Sequence, residues 1–335
     1  MPKFSIILPV RNGSNYIREC ITSILAQTYT DFELLILENA STDDTVQIIK
    51  SFNHEKIKII PAEKLLNIEE NWARALETPK AEFMTLIGHD DLLKPDFLET
   101  INHLIEVYPD ATLYHTHFNF IDSKGKVIRA CKPMPPTLQL SQLLKGFLDN
   151  TIDSMGTGYV MRSADYDRIG GISVKYPNLL FADFDLWLQL TALGYEAVAK
   201  ENCFSFRVHQ SVTSSSADAK LHKGLEVFTD SLVQLKTNNA ECAEIIDEYG
   251  SIFLTRLAKS YSHRILRTQK NKRDKVSVAG YINDTKQLAR KLGIEKKFKP
   301  EEEKTIWIAK LIDDSVILSK LFLFLRKVHG KPFNA

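Results

Sequence analysis

Cysteine is scarce and scattered. Cys20, Cys131, Cys203 and Cys242 show no C-x-x-C spacing, so neither a zinc knuckle nor a disulfide framework is expected, and a reducing compartment suits the chain. Net charge is also nearly absent, with 43 Lys and Arg against 42 Asp and Glu. No global field exists to gather nucleic acid or an anionic bilayer, so any anion site must be local. Long apolar runs are missing too. The best candidate, Val316 to Leu325, is interrupted by Lys320 and falls short of the ~18 residues of a membrane-spanning helix. The first apolar run is broken by Pro9 and lacks the form of a signal peptide, which makes the cytoplasm the expected location. Where a dinucleotide fold would place Gly-x-Gly-x-x-Gly, the chain has Pro9-Val10-Arg11-Asn12-Gly13-Ser14. Walker A and nucleophile-elbow motifs are absent as well.

What is present is an ordinary globular composition, 335 residues with 44% hydrophobic and 25% charged, long enough for two cores. Short apolar runs at Phe4 to Pro9, Phe32 to Glu38, Ile57 to Pro61 and Phe83 to Ile87 alternate with helix-period segments. That rhythm predicts an α/β fold with a mostly parallel central sheet. The run Leu34-Leu35-Ile36-Leu37 predicts a strand buried on both faces. From Ala111 to Arg129 the pattern becomes strand, Asp122-Ser123-Lys124-Gly125 turn, strand. An amphipathic helix led by Asp183 and a strand from Glu196 to Phe206 follow. Beyond Ser216 long helical patterns take over, so residues 1–215 are expected to form one domain and residues 216–335 a helical C-terminal region.

Polar clusters fall just after the predicted strands, where an open α/β sheet gathers its ligand crevice. Glu38-Asn39-Ala40-Ser41-Thr42-Asp43-Asp44 reads either as a helix cap or as a binding loop. Gly88-His89-Asp90-Asp91 sets two carboxylates side by side, and a divalent cation bridging to phosphates would relieve their repulsion. The competing reading is a solvated Asp-Asp turn. Arg207 and His209 share one strand face and offer a cation and an imidazole to a diphosphate and a metal; the alternative is a surface strand. Asp183 and Asp185 are both candidates for a general base, but residues two apart on a helix face different ways, so only one can serve.

Taken in order, these segments resemble the family 2 glycosyltransferases of the GT-A fold, over roughly residues 3 to 216. Ser5-Ile6-Ile7-Leu8-Pro9-Val10-Arg11-Asn12 is similar to that family's first strand and nucleotide loop, and His89-Asp90-Asp91 to its DxD-type motif. Phe181-Ala182-Asp183-Phe184-Asp185-Leu186-Trp187-Leu188 resembles its "EDxDLWLRL" helix, and Phe206-Arg207-Val208-His209-Gln210 its "YRxH" strand. The resemblance implies an inverting transfer from a nucleotide-sugar donor, a UDP-sugar first of all, to a glycan or lipid-linked glycan acceptor in polysaccharide biosynthesis. It implies Asp183 as the base, and Asp91 and His209 as ligands of Mn²⁺ or Mg²⁺. Donor contacts are implied at Pro9, Arg11, Asn39, Arg74, Asp90 and Arg207. Gly88, Asn39 and Ala182 stand where the family usually has acids; they motivate the alternative of a nucleotide-sugar-binding subunit with impaired catalysis.

No nucleic-acid partner is expected, because Arg264 to Lys275 lacks interleaved aromatics and reads as a solvated helix junction. The last apolar positions, from Ile306 to Leu325 with Lys320, Arg326 and Lys327, leave two roles open. One is an amphipathic helix on the inner face of a membrane; the other is a helix docked on the catalytic domain or on a second copy in a homo-oligomer.

Overall fold

The computed structural model describes residues 2–208, 219–273 and 275–328. It divides into two compact units, Met1–Leu143 with Thr151–His209, and Leu144–Asn150 with Gln210–Ala335. The expected boundary near residue 215 falls outside the described residues.

The first unit is built on strands β1 (Phe4–Val10), β2 (Phe32–Glu38), β3 (Ile57–Pro61) and β4 (Phe83–Leu86). It continues with β5 (Leu92–Leu93), β6 (Leu113–Ile121), β7 (Val127–Ala130), β8 (Thr137–Leu138), β9 (Tyr159–Arg162) and β10 (Glu196–Arg207). Eight strands run in the order β3-β2-β1-β4-β9-β6-β10-β5, with β7 added on β6 and β8 on β10. The β3-β2-β1-β4 half is parallel. Antiparallel β9 then separates β4 from β6, and β10 lies parallel to β6. All seven side chains of β1 are buried, as expected of a strand covered on both faces.

Helices α1 (Ile17–Leu25), α2 (Thr45–Ser51), α3 (Ile68–Ala73) and α4 (Phe97–Val107) follow the parallel strands. Their helical spacing puts Ile17, Cys20, Ile21 and Ile24 of α1, and Phe97, Leu98 and Ile101 of α4, in the core. Asn67 caps α3, accepting from the Glu70 amide while Glu70 reaches back to the Asn67 amide. Next come α5 (Leu140–Leu148), α6 (Ser163–Arg168) and α7 (Ala182–Thr191). The Asp122–Gly125 turn closes the β6–β7 hairpin, with Gly125 at φ 80°. On β10, Glu196 is buried with neither carboxylate oxygen hydrogen-bonded, and burial pushes its carboxyl up to about 8.

The second unit is helical: α8 (Ala219–Asn238), α9 (Ala240–Arg267), α10 (Val278–Leu292), α11 (Lys304–Asp314) and α12 (Val316–Val328). Tyr261, Ile265 and Leu266 of α9 pack with Val278 and Tyr281 of α10 and Ala309 of α11. The basic joint after α9 is exposed at residues 269–272 and 275, as a solvated junction would be, with one exception. Arg273 is buried and pairs with buried Asp313, whose other oxygen accepts from the Val278 amide at 2.8 Å. A buried cation needs such a partner, so this pair fixes the α9–α10 joint onto α11. All four cysteines are buried and free.

Candidate active site

Parallel pairing aligns the ends of β1 and β2 at Val10 opposite Glu38, and sets Ile7 opposite Leu86 of β4. The segments after these three strands therefore leave the sheet on one edge. Two of them are laced together. The Asn12 amide donates to Ser41 Oγ at 3.0 Å, the Thr42 amide to Asn12 Oδ1 at 2.8 Å, and the Gly13 amide to Thr45 Oγ1 at 2.8 Å. Asp43 accepts from the Ser14 amide at 3.1 Å and from Thr45. Burial raises the Asp43 carboxyl, but those hydrogen bonds from Thr45 and Ser14 outweigh it and hold the group at about 2. Asn12 (φ 52°) and Ala40 (φ 48°) both adopt left-handed backbone here, a strain that the lacing sustains. The helix-cap reading of this cluster is thus incomplete, because its polar groups grip the preceding loop.

Pro9 is buried inside β1 and Arg11 is exposed just beyond it. Asn39 is buried, and its amide makes paired bonds with Leu66, Nδ2 to the carbonyl at 3.0 Å and Oδ1 from the amide at 2.9 Å. Arg74 donates to the carbonyls of Glu38 at 3.1 Å and Ile60 at 2.7 Å and to Asn71 Oδ1 at 3.1 Å, tying the ends of β2 and β3 to α3. Both side chains set the backbone of the β2–β3 rim.

Asp90 and Asp91 sit after β4. A Cβ on Gly88 would lie 2.8 Å from Asp90 Oδ1 and 3.1 Å from Asp91 Oδ2. The two carboxylates therefore converge on the space beside a residue without a side chain. Asp91 is buried; its Oδ1 accepts from the Arg207 amide at 2.9 Å, and its Oδ2 accepts from Thr157 Oγ1. Burial and then the adjacent charge of Asp90 push the Asp91 carboxyl well above the ordinary range, more than the bonds from Thr157 and Arg207 pull it down. An ionised Asp91 is thus short of positive charge, and the cradle at Gly88 with two oxygens turned toward it fits a small divalent cation that takes its remaining ligands from phosphate. Among the described residues no three His, Cys, Asp or Glu side chains gather as a closed metal cage. His209, the other expected ligand, lies outside the described residues.

Arg207 departs from the expectation of a diphosphate-facing cation. It is buried at 3% exposure. Nε donates to the Asp90 carbonyl at 2.7 Å, Nη1 to the Asp122 carbonyl at 3.1 Å, and Nη2 to Glu19 at 2.8 Å, with the Tyr16 ring 4.6 Å away. The sequence pattern could not reveal that α1, the β6–β7 turn and the Asp90 turn all converge on it. The guanidinium is a strut beneath the acidic turn.

Asp183 opens α7. Its Oδ2 lies 3.6 Å from where a Gly156 Cβ would stand, and Gly156 adjoins the Thr157 that bonds Asp91. Consecutive residues therefore lie beside both carboxylates, a link the sequence did not disclose. Burial pushes the Asp183 carboxyl up against the pull of the Phe184 amide and its own. Asp185 is buried on another side of the helix and accepts from Gln189 at 2.9 Å. Ahead of α7, Asn178 (φ 54°), Leu179 (φ 57°) and Phe181 (φ 73°) are all left-handed, and Glu69 on α3 accepts from the Asn178 amide at 2.6 Å. Thr157 and Glu69 escaped sequence reasoning because a lone Thr and a surface Glu carry no local signal.

Residues 5–167 match the family model of glycosyl transferase family 2. An uncharacterized glycosyltransferase of Rickettsia felis is 29% identical over 56% of this chain and 31% of its own length. One from Rickettsia prowazekii is 28% identical over 70% of this chain and 73% of its own length. Chondroitin synthase of Escherichia coli is 27% identical over 70% of this chain but only 33% of itself. The chain thus spans about a third of some relatives and most of others. Among solved structures, Staphylococcus aureus TarS 1–349 in complex with UDP-GlcNAc superposes with a TM-score of 0.66 at 15% identity, covering 99% of this chain and 93% of that one. The fold is GT-A, with a helical region after it.

Proposed function

Because the chain carries a family 2 glycosyltransferase domain, we propose that it transfers a sugar, with inversion, from a UDP-sugar to a hydroxyl of a glycan or lipid-linked glycan during polysaccharide assembly in the cytoplasm. The observation that carries this reading is the placement of the neighbouring residues Gly156 and Thr157 beside Asp183 and Asp91. It supports one cleft holding both an acceptor base and an acidic turn for the donor. The chondroitin synthase relative and the UDP-GlcNAc complex of TarS support the donor class and the setting.

Asp183 takes the acceptor proton as the hydroxyl attacks the anomeric carbon; its raised pKa brings it closer to the working range of a base. Asp91, with Asp90 beside it, would hold Mn²⁺ or Mg²⁺, which when bound supplies positive charge against the leaving diphosphate. Arg11 offers a planar guanidinium for stacking on the base, beside a rim of Pro9, Asn39 and Arg74. Arg207 serves the donor through the turn it holds, and His209 is retained as a second ligand. Residues 1–215 are the catalytic domain in this reading and 216–335 the accessory region.

A screen of nucleotide sugars for thermal stabilisation and slow hydrolysis tests the proposal, since a ligand that binds only the folded state raises Tm. A UDP-sugar should stabilise and be hydrolysed in the presence of Mn²⁺ or Mg²⁺. Failure of every nucleotide sugar to do either would overturn it.

A further inference from the structure

Helices α11 and α12 each bury one narrow stripe. Ile306, Ala309 and Asp313 of α11 and Ser319 of α12 are buried, and Ser319 Oγ donates to the Ile312 carbonyl at 2.9 Å. Phe322 packs partly buried against the Tyr261–Tyr281 cluster. The opposite faces are apolar and exposed: Trp307 at 57%, Ile317 at 78% and Phe324 at 62%, with Leu311, Leu321 and Val328 alongside. On α12, Ile317, Leu321, Phe324 and Val328 follow helical spacing and fall on the side away from Ser319. A contiguous apolar face of this kind on a water-soluble surface marks an interaction site.

Charge decides the occupant. Lys304, Lys310, Lys320, Arg326 and Lys327 punctuate the two helices, and their only acids are Asp313 and Asp314. Asp313 is buried against Arg273, which leaves Asp314 as the one exposed acid. This local excess stands in a chain whose net charge is +1. A second copy docking through the same face would bring like charges together with only Asp314 on each copy to match them. An anionic surface would meet both the cations and the apolar side chains, with the lysine stems reaching outward past the hydrocarbon level. Neither helix is long and apolar enough to cross a bilayer.

We infer that α11 and α12 form a peripheral membrane-docking face that lies in the interface of an anionic lipid bilayer. This goes beyond the proposed transfer reaction and does not depend on it. Flotation of the full chain with phosphatidylglycerol/phosphatidylcholine vesicles, against phosphatidylcholine alone, tests it. Binding should be strong only with the anionic vesicles and should weaken as salt rises. Each cation removed should lower the partition constant about fivefold, so K320Q/K327Q should bind on the order of 25-fold more weakly. I317S/F324S should abolish flotation without lowering Tm, because both side chains are exposed. Absence of binding to anionic vesicles overturns the inference, as does binding untouched by either variant. A stable dimer by light scattering that I317S/F324S dissolves would assign the face to a second copy instead.

Discussion

Replacing Arg207 by Lys separates a strut from a donor ligand. The native guanidinium makes three bonds at 2.7–3.1 Å, to the Asp90 carbonyl, the Asp122 carbonyl and Glu19. One ammonium cannot reproduce that fork. Glu19 is half exposed and regains water when abandoned, so its share is small. The two carbonyls lose charge-assisted bonds at about 1.5 kcal/mol each, the low end for such bonds, for a total of about 3 kcal/mol. In a unit of this size that lowers Tm by about 6–12 °C. Thermal unfolding followed by circular dichroism reads the first effect and donor titration the second. The expected result is a large loss of Tm with a fall in kcat, because Asp90 and Asp91 lose their support. An unchanged Tm with a donor KM raised tenfold or more would refute the strut and restore Arg207 to the diphosphate.

Further outcomes follow from the other carboxylates. Asp183→Asn should cut transfer by ~10²–10⁴-fold while donor-induced stabilisation persists; near-normal turnover would remove Asp183 from the base role. In the wild type, kcat should fall as pH drops through the raised Asp183 pKa, since the base must be ionised, and a flat acid limb would contradict that assignment. EDTA should silence transfer and Mn²⁺ or Mg²⁺ restore it; full activity after chelation would exclude the cradle at Gly88 from the reaction. Glu196 titrates at about 8 in the fold, against 4.5 as the ordinary value. Its contribution to stability is complete below about 4.5, declines as pH rises from there, and is gone above about 8. Glu196→Gln should therefore flatten the alkaline loss of Tm relative to the wild type, and identical pH profiles would disprove the titration.

Much of the parallel half was legible because buried strands write themselves as apolar runs: Phe32–Glu38 and Ile57–Pro61 were read to the residue. The insertion of antiparallel β9 between β4 and β6 was not, since strand order rests on pairings between distant segments that leave no local pattern. The same divide runs through the site. Paired acids such as Asp90 and Asp91 advertise themselves, and a helix beginning with Asp183 does too. Whether an Arg faces solvent or structure depends on what surrounds it, so the sequence assigns Arg207, Asn39 and Arg74 to the donor without disclosing the backbone groups they hold. The buried Arg273–Asp313 pair was hidden for that reason as well.

The supports of Asp91 come from far along the chain, Thr157 at a separation of 66 residues and the Arg207 amide at 116. During synthesis the acidic turn emerges well before either of them. At roughly 5–20 residues per second, Asp91 precedes Arg207 by on the order of ten seconds. Until Thr157 emerges the Asp91 carboxylate has neither support, and until Arg207 follows it has only one, so a ribosome-bound fragment ending before β10 should neither retain nucleotide nor cleave it. Asp91 acquires both partners only when the late strand is threaded beside β6.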